Sequence, residues 1–280
     1  MDAERLTFRG LSGKLQADRW TADDPQGVVL LLHGGGQTRH SWHRSGPRFV
    51  AAGWTTVALD ARGHGDSQWA GDGDYSMDAL VGDLAAVVDQ VGVRPVLIGA
   101  SMGGMTSLLA VGESAVDAEA LVLVDVAPST EPEGVRRILD FMASAPDGFA
   151  SLEDVADAVA AYNPHRPRPT NLDGLRKNVR LWDDGRWHWH WDPAFLAVRD
   201  EPRRDSHHQR LTAAAENVAV PTMLVRGTQS DVVSTDGAQE LQRLIPHAVV
   251  REAKAGHMVA GDDNDVFTTQ VVDFLRDARA

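Results

Sequence analysis

The stretch Val96-Leu97-Ile98-Gly99-Ala100-Ser101-Met102-Gly103-Gly104-Met105 governs the reading of this chain. An apolar β-branched run stops at a glycine, and an apolar helical pattern, Met105 to Ala110, starts a few residues later. The spacing G-x-S-x-G therefore falls between a predicted strand and a predicted helix. A serine on so sharp a turn takes strained backbone angles, costing on the order of 1–3 kcal/mol. Small neighbours let the backbone close around it, and the helix N-terminus offers free N–H groups to a developing negative charge. Such a turn suits a nucleophile. A phosphate-binding turn is the competing explanation.

Working outward, further apolar runs resemble strands buried on both faces: Val28 to Leu32, Thr55 to Leu59, Leu121 to Val124, Met223 to Val225 and the shorter Ala248 to Val250. Leu6 to Arg9 and Lys14 to Asp18 alternate around a glycine turn and predict a half-exposed hairpin. Helical patterns lie between them, at Ser41 to Ala52, in the segment after Ser76, at Thr235 to Leu244 and at Val266 to Arg276. Alternating strands and helices imply a mostly parallel sheet covered on both faces. The alternation breaks after Ala127. There Gly134 to Ala143, Leu152 to Tyr162 and Leu172 to Leu181 read as helices, followed by a tryptophan-rich segment from Trp182 to Trp191. The expected organisation is a core domain of residues 1–126 and 211–280 with a helical cap, 127–210, inserted into it.

Composition narrows the function. With 280 residues, a single large domain can bury roughly three quarters of its unfolded surface. Lys plus Arg number 27 against 40 Asp plus Glu, a net charge of -13, which argues against nucleic acid and anionic membranes as partners. The absence of cysteine excludes disulfides, thiolate metal sites and a cysteine nucleophile. The N-terminal residues lack a signal-peptide layout, and no apolar run is long enough for a membrane helix. A soluble, cytoplasmic protein is expected.

In open α/β sheets, ligands bind at the carboxyl ends of the strands. Three more candidates stand there. His33-Gly34-Gly35-Gly36 follows Leu32 and could aim backbone amides at a substrate; a P-loop is disfavoured because Gln37-Thr38 replaces the Lys-Ser/Thr pair. Asp231 follows the strand ending at Val225, and His257 follows the one ending at Val250. Ser101, Asp231 and His257 occur in chain order, each beyond its own strand.

These motifs resemble the α/β-hydrolase superfamily, in its serine-hydrolase, esterase-like branch with a helical cap. The resemblance spans nearly the whole chain and implies an eight-stranded, mostly parallel sheet with helices on both faces. It implies Ser101 as nucleophile, His257 as general base and Asp231 as the acid that orients the imidazole. The oxyanion donors would be the backbone N–H groups of Met102 and Gly35, with Gly34 as the alternative to Gly35. His33 would hold the loop. Asp125, directly after Leu121 to Val124, competes with Asp231 for the acid; the loop reach and the surroundings of Asp231, Ser230 and Val232-Val233, favour Asp231. Asp60-Ala61-Arg62-Gly63-His64-Gly65-Asp66-Ser67 resembles D-x-R-G-x-G-x-S, where Arg62 is available for buried pairing.

The implied substrate is a small molecule with an ester, thioester or lactone carbonyl, cleaved through an acyl-enzyme without a cofactor. Gly34, Trp42, Trp187, Trp189 and Met258 are candidates for the pocket. Hydrolysis of a carbon–carbon bond in β-diketone-like compounds, perhydrolysis, and a receptor that keeps the triad are the alternatives. Serine at 101 disfavours epoxide hydrolases and haloalkane dehalogenases, which use an aspartate there. No metal site is expected: His64 and Asp66 lack a third ligand, and His188, His190, His207 and His208 lack a placed carboxylate.

Overall fold

The structure, a computed structural model, describes residues 2–164, 167–197, 204–259 and 264–279, with Arg204, Asp205, Asn264 and Asp265 described by backbone alone. Among the described residues the strands are β1 Glu4–Arg9, β2 Lys14–Trp20, β3 Gly27–Leu32, β4 Trp54–Leu59, β5 Val96–Ala100, β6 Ala120–Val124, β7 Val179–Leu181, β8 Trp187–Trp189, β9 Thr222–Gly227 and β10 Val249–Ala253. Eight of them form one sheet in the order β1-β2-β4-β3-β5-β6-β9-β10. The β1–β2 and β2–β4 pairings are antiparallel, and all others in this sheet are parallel.

The two-residue side-chain period divides the sheet between two apolar layers. Leu30, Leu32, Val57, Leu59, Leu97, Leu121, Leu123 and Leu224 face one layer. It is completed by α2 Met77–Val91, α3 Met102–Gly112, α7 Arg204–Glu216 and α8 Thr235–Leu244, which bring in Leu84, Leu108, Ala214 and Leu241. Val29, Leu31, Ala58, Ile98, Val122, Val124 and Val225 face the other layer, formed with Trp42, Phe49 and Phe267. There α1 Ser45–Ala51 and the helix Asn264–Asp277 cover the sheet. Each fully buried aliphatic side chain contributes about 1.5–3 kcal/mol. The strand runs are therefore continuous in sequence because both faces are dry.

The sheet order also locates the crevice. The chain passes from β3 to β4 on one side, then returns to place β5 on the other side of β3. The loops leaving β3 and β5 therefore diverge at the carboxyl edge, the position where open α/β sheets bind ligands.

Between β6 and β9 lie α4 Pro132–Met142, α5 Leu152–Tyr162, a 3-10 turn Asp173–Lys177, the β7–β8 hairpin and α6 Ala194–Ala197. The expected helix over Leu172 to Leu181 is absent. Its residues form the 3-10 turn and then strand β7, which pairs with β8 across Asp183-Asp184-Gly185. Gly185 supplies a left-handed φ of 75° for the turn, a hairpin signal that outweighs the local helical pattern. Helix α7 runs across position 210 and packs on α3. No helix among the described residues is long and apolar enough to cross a membrane.

Helix α3 is drawn against β3 at its first turn. A Cβ on Gly103 would lie 2.5 Å from the carbonyl oxygen of Leu32 and 2.7 Å from that of His33, both backbone atoms that cannot swing away. Gly103→Ala is therefore expected to destabilise the protein by about 1–3 kcal/mol through overpacking. Urea unfolding followed by circular dichroism measures this; an unchanged midpoint would show that the α3–β3 approach is not tight.

Candidate active site

Ser101 sits between β5 and α3 with φ 47° and ψ −114°, a left-handed conformation that a non-glycine residue rarely takes. The turn is held from three directions. The Ser101 N–H donates to the Val124 carbonyl (3.2 Å), the Gly103 N–H to the His33 carbonyl (3.1 Å), and the Ser101 carbonyl accepts from the Met105 N–H (2.9 Å). The side chain is thereby presented at the carboxyl edge of the sheet, half-buried, at the start of a helix.

The loop after β3 lies against it. A Cβ on Gly34 would come within 3.3 Å of Ser101 Cβ. The loop's N–H groups are not equivalent. That of Gly34 donates to Gln37 Oε1 (3.1 Å) and that of Gly36 to His64 Nε2 (3.1 Å). Among the described residues, the N–H groups of Gly35 and Met102 are engaged in none of the hydrogen bonds found. The donor of Gly34, the alternative to Gly35, is already committed within the turn.

Three buried histidines brace this loop. The Ala61 N–H donates to His33 Nε2 (3.0 Å), so His33 Nδ1 carries the proton and donates to the Gly34 carbonyl (2.8 Å). By the same logic His64 accepts from Gly36 through Nε2 and donates from Nδ1 to the Arg62 carbonyl (3.1 Å). His190 accepts from the Gly65 N–H (2.8 Å) and reaches the Gly36 carbonyl with Nε2 (3.3 Å). Both polar groups of Gly36 are thus held by imidazoles, one of them from the segment after β8. Burial holds the His33 and His190 imidazoles below the ordinary histidine range, with His64, His33 and Arg180 adding to the effect at His190. These rings are neutral supports. Arg62 is paired with Asp83 (2.6 Å) in the interior, as the D-x-R-G motif suggested.

His257 faces Asp125. Its Nδ1 lies 2.6 Å from Asp125 Oδ2, and the aspartate is fully buried. The Gly227 N–H donates to Asp125 Oδ1 (2.9 Å) and the Ser230 hydroxyl to Oδ2 (2.5 Å). An ionised carboxylate only accepts, so Nδ1 carries the imidazole proton and Nε2 keeps its lone pair. The β9–β10 register, Gly227 beside Ala253, and the bonds Thr228 N–H to Ala253 O and Gln229 N–H to Ala255 O carry the His257 loop across to the end of β6.

The expectation that Asp231 would face His257 is corrected by this geometry. Asp231 points the other way, into an ion pair with Arg137 of α4 (2.7 Å), and its side chain is 41% exposed. The reason lies next to it: Ser230 folds back on Asp125 and also accepts from the Val232 and Val233 N–H groups, so the short loop is tied down and turns Asp231 outward. Within the surroundings that singled out Asp231, it is Ser230 that reaches the aspartate facing His257.

The expected pocket residues separate as well. Trp42 is fully buried against Phe267 in the layer beneath the sheet, because the 3-10 turn Arg39–Trp42 directs it into the core. Trp189 is buried within its own segment, stacked on Trp191 (4.9 Å) with Nε1 donating to the Ser144 carbonyl. Trp187 carries the Arg176 guanidinium over its ring (4.8 Å) and lines an outward groove with Ser151 and Asn171. Met258 is half-buried beside His257. The residues that do lie over the loop are Met142 and Phe195: a Cβ on Gly35 would stand 3.7 Å from Met142 Sδ and 3.9 Å from the Phe195 ring. Neither residue carries a motif, and only the folding of α4 and α6 over the sheet brings them there.

Comparison with known proteins agrees with this architecture. The alpha/beta hydrolase fold family matches residues 27–263. Esterase Rv0045c of Mycobacterium tuberculosis is 30% identical over 90% of this chain and 83% of its own length. The sn-1-specific diacylglycerol lipase ABHD11 of Mus musculus is 27% identical over 89% of this chain and 80% of its own. A solved structure of the M. tuberculosis esterase superposes with a TM-score of 0.78 at 28% identity, covering 99% of this chain and 93% of that one. The chain belongs to the alpha/beta hydrolase fold family and is an esterase-like hydrolase.

Proposed function

We propose that the chain cleaves a small-molecule carboxylic ester, thioester or lactone through an acyl-enzyme on Ser101, with His257 as general base and Asp125 as the acid. The observation that carries this reading is the 2.6 Å contact between His257 Nδ1 and the buried Asp125, at the same sheet edge as the strained Ser101 turn. Ser101 Oγ attacks the carbonyl carbon while His257 Nε2 takes its proton. The buried carboxylate stabilises the imidazolium and keeps the reactive tautomer in place. The N–H groups of Gly35 and Met102, left uncommitted by the loop and at the N-terminus of α3, receive the oxyanion. The alcohol, thiol or ring oxygen leaves with the proton from Nε2, and a water activated by the same nitrogen releases the acid.

Residues 127–210 act in this reading as a cap that sets substrate choice. Met142 and Phe195 form an apolar roof over Gly35, suited to an acyl chain. The Arg137–Asp231 pair and the contact of His190 with Gly36 fasten that roof to the core.

A fluorophosphonate is expected to label the protein at Ser101 and to leave Ser101→Ala unlabelled; labelling of another serine in an active Ser101→Ala variant would refute the assignment. Asp125→Asn should lower kcat for p-nitrophenyl esters by about 10⁴-fold, since the amide no longer fixes the tautomer. Asp231→Asn should change it by less than about tenfold, given the small worth of an exposed ion pair. The opposite ranking in two variants with native circular dichroism would return the acid to Asp231.

Met142→Ala and Phe195→Ala are expected to shift the ratio of kcat/KM between long and short acyl esters by about 10-fold or more, the scale of 1–3 kcal/mol per apolar contact in a pocket. Trp187→Ala should leave that ratio unchanged. A larger shift from Trp187→Ala would place the acyl chain in the outer groove.

A further inference from the structure

The 3-10 turn Arg39–Trp42 that follows the glycine loop ends on His43, and the i to i+3 spacing of that helix type stacks His40 and His43 on one face. The same face meets Asp18 of β2. His43 Nε2 lies 3.1 Å from Asp18 Oδ2 and 3.1 Å from His40 Nδ1, and His40 Nδ1 lies 3.8 Å from Asp18 Oδ2. We propose that Asp18, His40 and His43 form a binding site for a divalent transition-metal ion such as Zn²⁺, with an open fourth position toward solvent.

The spacing fits tetrahedral coordination. Bonds of about 2.0–2.2 Å to nitrogen and oxygen give ligand-to-ligand edges of roughly 3.3–3.5 Å, which the three observed separations bracket. Two imidazoles and one carboxylate are also the donor set that suits zinc. His43 Nε2 is within reach of both Asp18 Oδ2 and His40 Nδ1 and can offer a single N–H to only one of them at a time. A cation satisfies all three atoms at once.

The surroundings permit it. Arg39 is the nearest fixed positive charge, with Nε 2.9 Å from the other oxygen of Asp18. Its two remaining nitrogens are committed to Asp60 and Asp66, so Oδ2 of Asp18 is left toward the histidines. Trp20 stands edge-on to His43 (5.5 Å) and restrains the ring, while the His43 side chain is 51% exposed and leaves a route for the ion. Bound there, the ion would tie the turn after the glycine loop to β2.

The test uses the full chain freed of metal by chelator, then titrated calorimetrically with ZnCl₂, with MgCl₂ as control. One equivalent of Zn²⁺ should bind and raise Tm, and Co²⁺ should give the intense visible bands of a tetrahedral site. His43→Ala, at a half-exposed position, should weaken Zn²⁺ binding by at least tenfold and remove the Tm shift, and His40→Gln should do the same. His188→Ala and His207→Ala/His208→Ala should retain both. Mg²⁺ should give no heat. Undiminished Zn²⁺ binding in the folded His43→Ala and His40→Gln variants, loss that follows His188 or His207/His208 instead, or no Zn²⁺ binding by the parent chain would each overturn the proposal.

Discussion

A single residue in an unfavourable conformation organises this molecule. Ser101 is held at φ 47° in a turn that costs on the order of 1–3 kcal/mol, and it persists because the surroundings over-determine it. Its N–H is fixed to β6, the next turn of α3 to the end of β3, and glycines at 99, 103 and 104 let backbone touch backbone. The central strands are apolar on both faces for the same purpose. A rigid, dry sheet is what allows one side chain to be displayed at its edge against its own backbone preference.

Around that turn, polar groups are spent on positioning. Asp125 receives the Gly227 N–H, the Ser230 hydroxyl and the His257 imidazole, so each of its oxygens has a designated donor. A buried carboxylate so satisfied holds a fixed orientation, whereas an unpaired one would be costly. His33, His64 and His190 do the equivalent for the glycine loop, each taking one N–H and giving one to a carbonyl. Because each ring works as donor and acceptor at once, its tautomer is fixed and the loop's amides point one way.

The segment between β6 and β9 is joined to this core through polar contacts that are individually specific. Tyr75 donates to Asp192 (2.5 Å), the Asp192 N–H to the Gly63 carbonyl (2.9 Å), and Arg180 spans the Gly65 carbonyl and Asp66. The last two end on the D-x-R-G-x-G-x-S turn, and the Tyr75 ring packs against Gly63 of that turn. That turn therefore serves as a dock: Arg62 anchors it inward on Asp83, and its outward backbone groups receive the segment carrying Met142 and Phe195.

The sequence by itself determined the layered sheet, the strand–turn–helix at Ser101, the glycine loop and the position of His257. These signals are local: continuous apolar runs, a period of two or 3.6, glycines at a turn. The choice between Asp125 and Asp231 was not local. Both follow a strand and both precede His257, and what separates them is which carboxylate the β6–β9–β10 register and Ser230 turn toward the imidazole. Trp187 and Trp189 attracted attention by composition, yet the wall over the loop comes from Met142 and Phe195, which nothing in their neighbourhood distinguishes. The β7–β8 hairpin was hidden by a helix-like pattern, and the Asp18, His40 and His43 cluster by a separation of more than twenty residues between its parts. The hairpin turns locally at Gly185; in the other cases the deciding contact joins distant parts of the chain, and only tertiary packing brings them within reach.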